Sequence, residues 1–238
     1  MKKYLILLPA LILSLSACDL SGIIRNSNND NDYTNENTSG DTGGSGSNDY
    51  NDSIFDEPES LRKLMAFGKN TGFEITTKAS SPDGEGAEIV FAMKGNTWWE
   101  LDGEGYGIGY RLENDKCSML TYSEGTWSVF IDNVGASQFE AMFESTAVYF
   151  YKANSYFANE GFVFDGNAKY AGRDVMKFKY SRSVATVSVK HDYYVDKDLG
   201  ISLYQYAETT SDGEKDWAKL ETTSFKTGND VTQIAIAE

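Results

Sequence analysis

From about residue 56 onward the chain is written in short runs of alternating apolar and polar residues, separated by turn-forming clusters, and this pattern governs what it can fold into. Side chains two apart on a strand share one face, so period-two alternation marks half-buried strands. Phe73, Ile75 and Thr77 share one such face and Ile89, Phe91 and Met93 another, with SSPDGEG between them. Gly95-Asn96 and Asp102-Gly103-Glu104-Gly105 supply further tight turns. Strands are expected at 106–112, 118–122 and 126–131, and again at 162–164, 173–181, 186–195, 201–209 and 217–225.

Two segments break the alternation. Asp56-Glu57-Pro58-Glu59 has the form of a capping box, and Leu61, Leu64, Met65 and Phe67 follow on one face of a short helix that Gly68 is expected to end. Later, Phe139, Met142, Phe143 and Thr146 recur at near-helical spacing, which predicts a second helix from residue 137 to about 149. Ten or eleven strands in one antiparallel sheet would curl. The expected fold is therefore mainly β (α+β): a large curved antiparallel sheet or unclosed half-barrel, with a short N-terminal helix and a central helix on its concave face. The domain boundaries follow as 56–228, with 229–238 as a C-terminal tail.

The N-terminal region has a different composition. Residues 1–17 combine Lys2 and Lys3, an apolar run and small residues before a cleavage point between Ala17 and Cys18, the form of an export signal. Leu15-Ser16-Ala17-Cys18 resembles the lipobox of bacterial lipoproteins, in which the cysteine sulfur receives a diacylglycerol and becomes the new N-terminus. That resemblance implies a membrane anchor through a lipid on Cys18, and acyl chains at about 0.8 kcal/mol per buried CH₂ hold it without a protein span. Residues 18–55 are rich in Asn, Asp, Gly and Ser and cannot bury enough apolar surface to order themselves. As a coil of roughly 35 residues they reach about 30–35 Å. Asp30, Asp32, Thr34 and Glu36 imitate a calcium loop, but Asn35 stands where glycine is needed and Asp41 where glutamate is needed.

This order of strands and helices also resembles the lipoprotein-carrier superfamily of the LolA/LolB type and the related LprG-type lipoproteins. The residues that carry the likeness are Ala171-Gly172-Arg173-Asp174-Val175-Met176-Lys177-Phe178 and the hairpin Tyr193-Tyr194-Val195-Asp196-Lys197-Asp198-Leu199-Gly200-Ile201. It covers about residues 56–226 and implies an unclosed barrel plugged by helices that carries a lipid or other amphiphile. The residues themselves leave two readings of the inner strand face. Phe73, Ile75, Phe91 and Met93 line an apolar groove if the helix lies loosely over them, and are ordinary core if it packs closely.

Trp98 and Trp99 point to opposite faces of one strand, which leaves two readings: a cross-strand aromatic pair within the sheet, or an indole exposed on one face. Beside Glu100 and Asp102 it would form a surface that recognises glycan or protein, the alternative to amphiphile carriage. Catalysis is not expected. The chain has one histidine, His191, and two cysteines. With Cys18 taken by lipid, Cys117 reads as a small buried hydrophobe, and there is no metal-ligand spacing and no cofactor motif. The carboxylates Glu100, Asp102, Glu104 and Asp132 fall in turns or on exposed parity, without the desolvation that tunes a glycosidase pair. Gly103, Gly105, Gly107 and Gly109 open no helix and so form no phosphate loop. Losing Lys2 and Lys3 takes the net charge from −15 to −17, which argues against nucleic acid as a partner. The expectation is a monomeric, exported protein, lipid-anchored to the cell membrane or outer membrane, with its domain outside the cytoplasm.

Overall fold

The computed structural model describes residues 57–147 and 161–237. The signal segment, Ala17, the lipidation residue Cys18 and the linker lie outside the described residues.

Two meanders make one sheet. Strands β1 (Phe73–Ser81), β2 (Gly84–Lys94), β3 (Thr97–Asp102), β4 (Gly107–Glu113), β5 (Lys116–Ser123) and β6 (Thr126–Ile131) follow one another as hairpins. Strands β7 (Val163–Tyr170), β8 (Arg173–Val184), β9 (Val187–Asp196), β10 (Ser202–Ser211) and β11 (Glu214–Thr227) form the second meander. Antiparallel pairing of β1 with β11 joins them. A short β12 (Ile236–Ala237) runs parallel to β6, giving the order β12-β6-β5-β4-β3-β2-β1-β11-β10-β9-β8-β7 among the described residues. The sheet is therefore large, curved and unclosed, as the alternation requires, with 12 strands where ten or eleven were expected.

Helices α1 (Glu57–Asn70) and α2 (Ala136–Ala147) pack on the face that carries Phe73 and Phe91, here called the inner face. Helix α1 does not end at Gly68. It runs two residues further, and Gly68 is an approach point, since a Cβ there would lie 2.6 Å from Met93 Sδ. The stop is supplied by Gly72, at φ +87°, whose N–H donates to Phe67 O. In α2, Phe139, Phe143 and Ala147 stack at i, i+4 and i+8 and are fully buried.

The main core unites α1, α2 and β1–β5 and extends through Leu199, Ile201 and Leu203 around the β9–β10 connection to Val175. A second cluster lies on the outer face, where Ala92, Trp99, Leu120 and Trp127 pack against Val231, Ile234 and Ile236. The C-terminal tail from residue 229 thus packs on the sheet through Val231, Ile234 and Ile236. Thr232 N–H donates to buried Glu74 at 2.9 Å, Lys226 pairs with the same carboxylate, and Lys94 Nζ donates to Gly228 O. Gly107 and Gly109 find their reason here: Cβ atoms would meet the Trp127 ring at 2.9 and 3.4 Å.

Candidate functional site

Phe73, Ile75, Phe91 and Met93 share the inner face as their parity requires, and all four are 0% exposed. Phe91 is ringed by Phe73 at 5.5 Å, Phe143 at 5.6 Å and Trp98 at 6.3 Å. In this half of the sheet the closely packed reading holds, and these residues are core.

Neither Trp98 nor Trp99 is exposed. Trp98 stacks on Tyr110, its ring 5.0 Å away, and its Nε1–H donates to Phe139 O at 3.2 Å, which ties the indole to α2. Trp99 does point to the opposite face, but Val231 and the strand-forming C-terminal segment cover it there. Of the two readings the cross-strand pair is the one seen at Trp98, and no indole of β3 faces solvent because the outer face is not bare at that strand.

Glu100 also departs from expectation. It sits on the inner face between Phe91 and Ile108, and burial, then the charge of Asp102, push its carboxyl up. Asp102 Oδ1 accepts the amides of Glu104 and Tyr106, and Asp132 accepts Ser118 Oγ–H, so both serve local structure. Cys117 is 0% exposed and burial pushes its thiol up, in keeping with a structural role. Among the described residues no three His, Cys, Asp or Glu side chains group as metal ligands. No described helix is long and apolar enough to cross a membrane.

The other half of the inner face has a different chemistry. Thr77 is paired with Thr222, Gln205 with Tyr193 and Leu220, and His191 with Ala207 and Tyr180. These pairings carry the Phe73 face across to β8–β11 and put Thr77, Thr222, Gln205 and His191 on it. All four are buried. Thr77 Oγ1–H donates to Ile89 O, whereas Thr222 Oγ1 has no hydrogen-bond partner. His191 stacks on Tyr193 at 6.5 Å and takes ring edges from Tyr180 at 5.8 Å and Phe162 at 6.0 Å; Phe164 and Phe178 continue the wall. Polar side chains on a parity reserved for core were the available signal in the sequence, but the bulge in β11 next to Thr76/Thr77 hides that Thr222 belongs to it.

The two segments that carry the family likeness meet in space. Arg173 Nε and Nη2 donate to the Asp196 carboxylate at 2.6 and 3.1 Å, and the amides of Asp198 and Leu199 donate to Asp196 Oδ1. This pair staples the β9–β10 turn to the start of β8.

No family model matches this chain, and no curated protein matches it in sequence. Among solved structures it is similar to one titled the complex structure of Pseudomonas aeruginosa MucA/MucB, at 13% identity and a TM-score of 0.33, over 75% of this chain and 59% of that one. A structure of MucB in complex with MucA(peri) gives 13% identity and TM-score 0.33 over 75% and 58%. An outer membrane lipoprotein-sorting protein domain from Vibrio parahaemolyticus is a weaker likeness, with 8% identity and TM-score 0.23 over 75% of this chain and 96% of that one. The chain spans under two thirds of the MucA/MucB-complex chains that it matches.

Proposed function

We propose that this is a non-catalytic envelope lipoprotein, anchored through Cys18, whose domain binds a lipid or other amphiphile on the inner face of β1 and β8–β11. The observation that carries this reading is the buried Thr222 hydroxyl without a partner, on the sheet face that also bears Gln205 and Tyr193. A buried hydroxyl left unpaired costs about 1–3 kcal/mol, so its position in the interior calls for a group that bonds to it. An apolar wall with a few converging polar groups is the general form of a small-molecule site. Here Phe162, Phe178, Tyr180 and Tyr193 offer the wall for an apolar chain, and the Thr222 hydroxyl offers a donor and acceptor for its polar end.

The acid–base groups support binding over catalysis. His191 is enclosed by rings, and the Asp102 carboxylate is occupied by turn amides, which leaves Glu100 without a poised second carboxylate. On this reading the lipid on Cys18 holds the protein at a membrane.

Native mass spectrometry of detergent-free protein tests the reading. Acyl species should co-purify with the wild type and be reduced in Thr222→Val, which keeps the shape and removes the hydroxyl. The ligand-free Thr222→Val protein should also be more stable than wild type by about 1 kcal/mol, since the unpaired group is gone. Repeated absence of any bound amphiphile from the wild type would sink the proposal.

A further inference from the structure

The helices leave part of the inner face bare at the far end of the first meander. Phe143 of α2 closes over Phe91 and Trp98, but the pairing carries the Phe91 row on through Glu100, Ile108 and Thr121 to Ser128, and the Trp98 row on through Tyr110 and Met119 to Ile131. There the apolar side chains meet solvent. Ile108 is 37% exposed, Ile131 45%, Phe130 beside it at the slip in β6 64%, and Tyr106, just ahead of β4, 66%. With Val129 these make five of the seven large apolar side chains that stand exposed among the described residues. Such clustering on neighbouring strands marks an interaction surface, whereas scattered exposed residues would not.

Glu100 stands inside this surface. It is half-buried between Phe91 and Ile108, makes no hydrogen bond or ion pair among the described residues, and is raised first by burial and then by the charge of Asp102. The register puts no Lys or Arg on the inner face of β3–β6, since Arg111 and Lys116 lie opposite Thr97 and Glu113 on the other face. A carboxylate held among apolar groups without a cation is costly, and an incoming Lys or Arg offsets that cost. The complement of the surface is therefore a basic residue set among large apolar ones. Its shape follows from the layer already present. Strands about 4.8 Å apart make β3–β6 about 14 Å wide, room for one helix of about 10 Å diameter, and a helix beside α2 continues the layer at the usual spacing of about 8–10 Å.

We infer that the bare inner face of β3–β6 docks a basic amphipathic helix of a partner protein, its Lys or Arg on Glu100 and its apolar stripe on Ile108, Phe130 and Ile131. This surface is separate from the Thr222 site. Its test is fluorescence anisotropy of the full chain with a labelled helical peptide of Leu and Lys, about 18 residues long, and a Leu/Glu peptide of the same pattern. Salt of about 0.15 M shortens the Debye length to about 8 Å and screens the overall charge of the chain. The Leu/Lys peptide should bind, and Glu100→Gln and Ile108→Ser should each weaken it about tenfold. Glu100→Gln keeps the size of the side chain and removes a half-buried charge, so its melting temperature should not fall. Glu214→Gln, at the exposed start of β11, and Thr222→Val should leave binding unchanged. No binding of the Leu/Lys peptide, equal binding of the Leu/Glu peptide, or equal losses in Glu100→Gln and Glu214→Gln would each overturn the inference. Sedimentation with phosphatidylcholine vesicles that depends on Ile108 and Phe130 would overturn it too, by giving the face to the membrane.

Discussion

Asp196 offers the sharpest perturbation of the fold. Its carboxylate is 0% exposed, holds Arg173 through two hydrogen bonds and accepts the amides of Asp198 and Leu199. Asp196→Ala removes all four at once and leaves Arg173, itself 22% exposed, with only the surface carboxylate of Asp198. Breaking a buried pair by removing one partner costs about 3–5 kcal/mol, and the partial hydration of Arg173 places this case near 3. Asp196→Asn keeps an oxygen for the two amides and loses the charge, so it should cost about 1–2 kcal/mol, the gap between charged and neutral acceptors. For a domain of this size about 2–4 °C of melting temperature goes with each kcal/mol, so Asp196→Ala should melt roughly 6–12 °C below wild type. Thermal melts and urea titrations of wild type, Arg173→Met, Asp196→Ala and the double variant form the cycle. The double variant should be less damaged than the two single losses added together, because it leaves no uncompensated charge. Strict additivity, or a loss below about 0.5 kcal/mol for Asp196→Ala, would refute the staple.

Other expectations follow from single contacts. Glu74→Ala frees Thr232 N–H and Lys226 together and should cost about 1–3 kcal/mol, with faster amide hydrogen exchange at residues 231–237 than in the core strands. Gly109→Ala would set a Cβ 2.8 Å from Trp98 O and against Trp127, and should destabilise by about 1–3 kcal/mol in urea titration. Trp98, Trp99 and Trp127 are buried while Trp217 is partly open, so iodide should quench chiefly Trp217 and Trp217→Phe should abolish most of that quenching. Glu208 is held down to about 2 by its bond to Lys215 and then by Tyr206. A depressed carboxylate contributes stability above its usual pKa and loses it as pH falls through the folded value, so melting temperature should drop from about pH 5 to pH 2, less steeply in Glu208→Gln.

Alternation made the strands legible because one buried face imposes it, and the helices were legible because Phe139 and Phe143 break that rhythm with a helical one. What alternation cannot say is whether the second face is wet. Trp98 and Trp99 take opposite faces as alternation requires, yet whether either is exposed depends on what else reaches β3. The segment that covers Trp99 is seven residues long and pairs through only two, Ile236 and Ala237, too little for a strand to be read from sequence. Parity is also lost at bulges. The slip between Ser202 and Tyr204 and the slip beside Thr76/Thr77 each shift one strand by a residue, so counting by twos along β10 or β11 assigns the residues beyond the slip to the wrong side.

Those two slips bear directly on function. They fall on adjacent strands, and on their far side from the helices the inner face changes from Phe73, Phe91 and Trp98 to Thr77, Thr222, Gln205 and His191. A core built only for stability would keep apolar residues on that parity, since each buried polar group must be satisfied or costs free energy. The two slips thus lie between a closely packed half of the sheet and a half with polar groups on its inner face. Thr222→Val probes the polar half by itself, and amphiphile binding left unchanged in that variant would contradict the division.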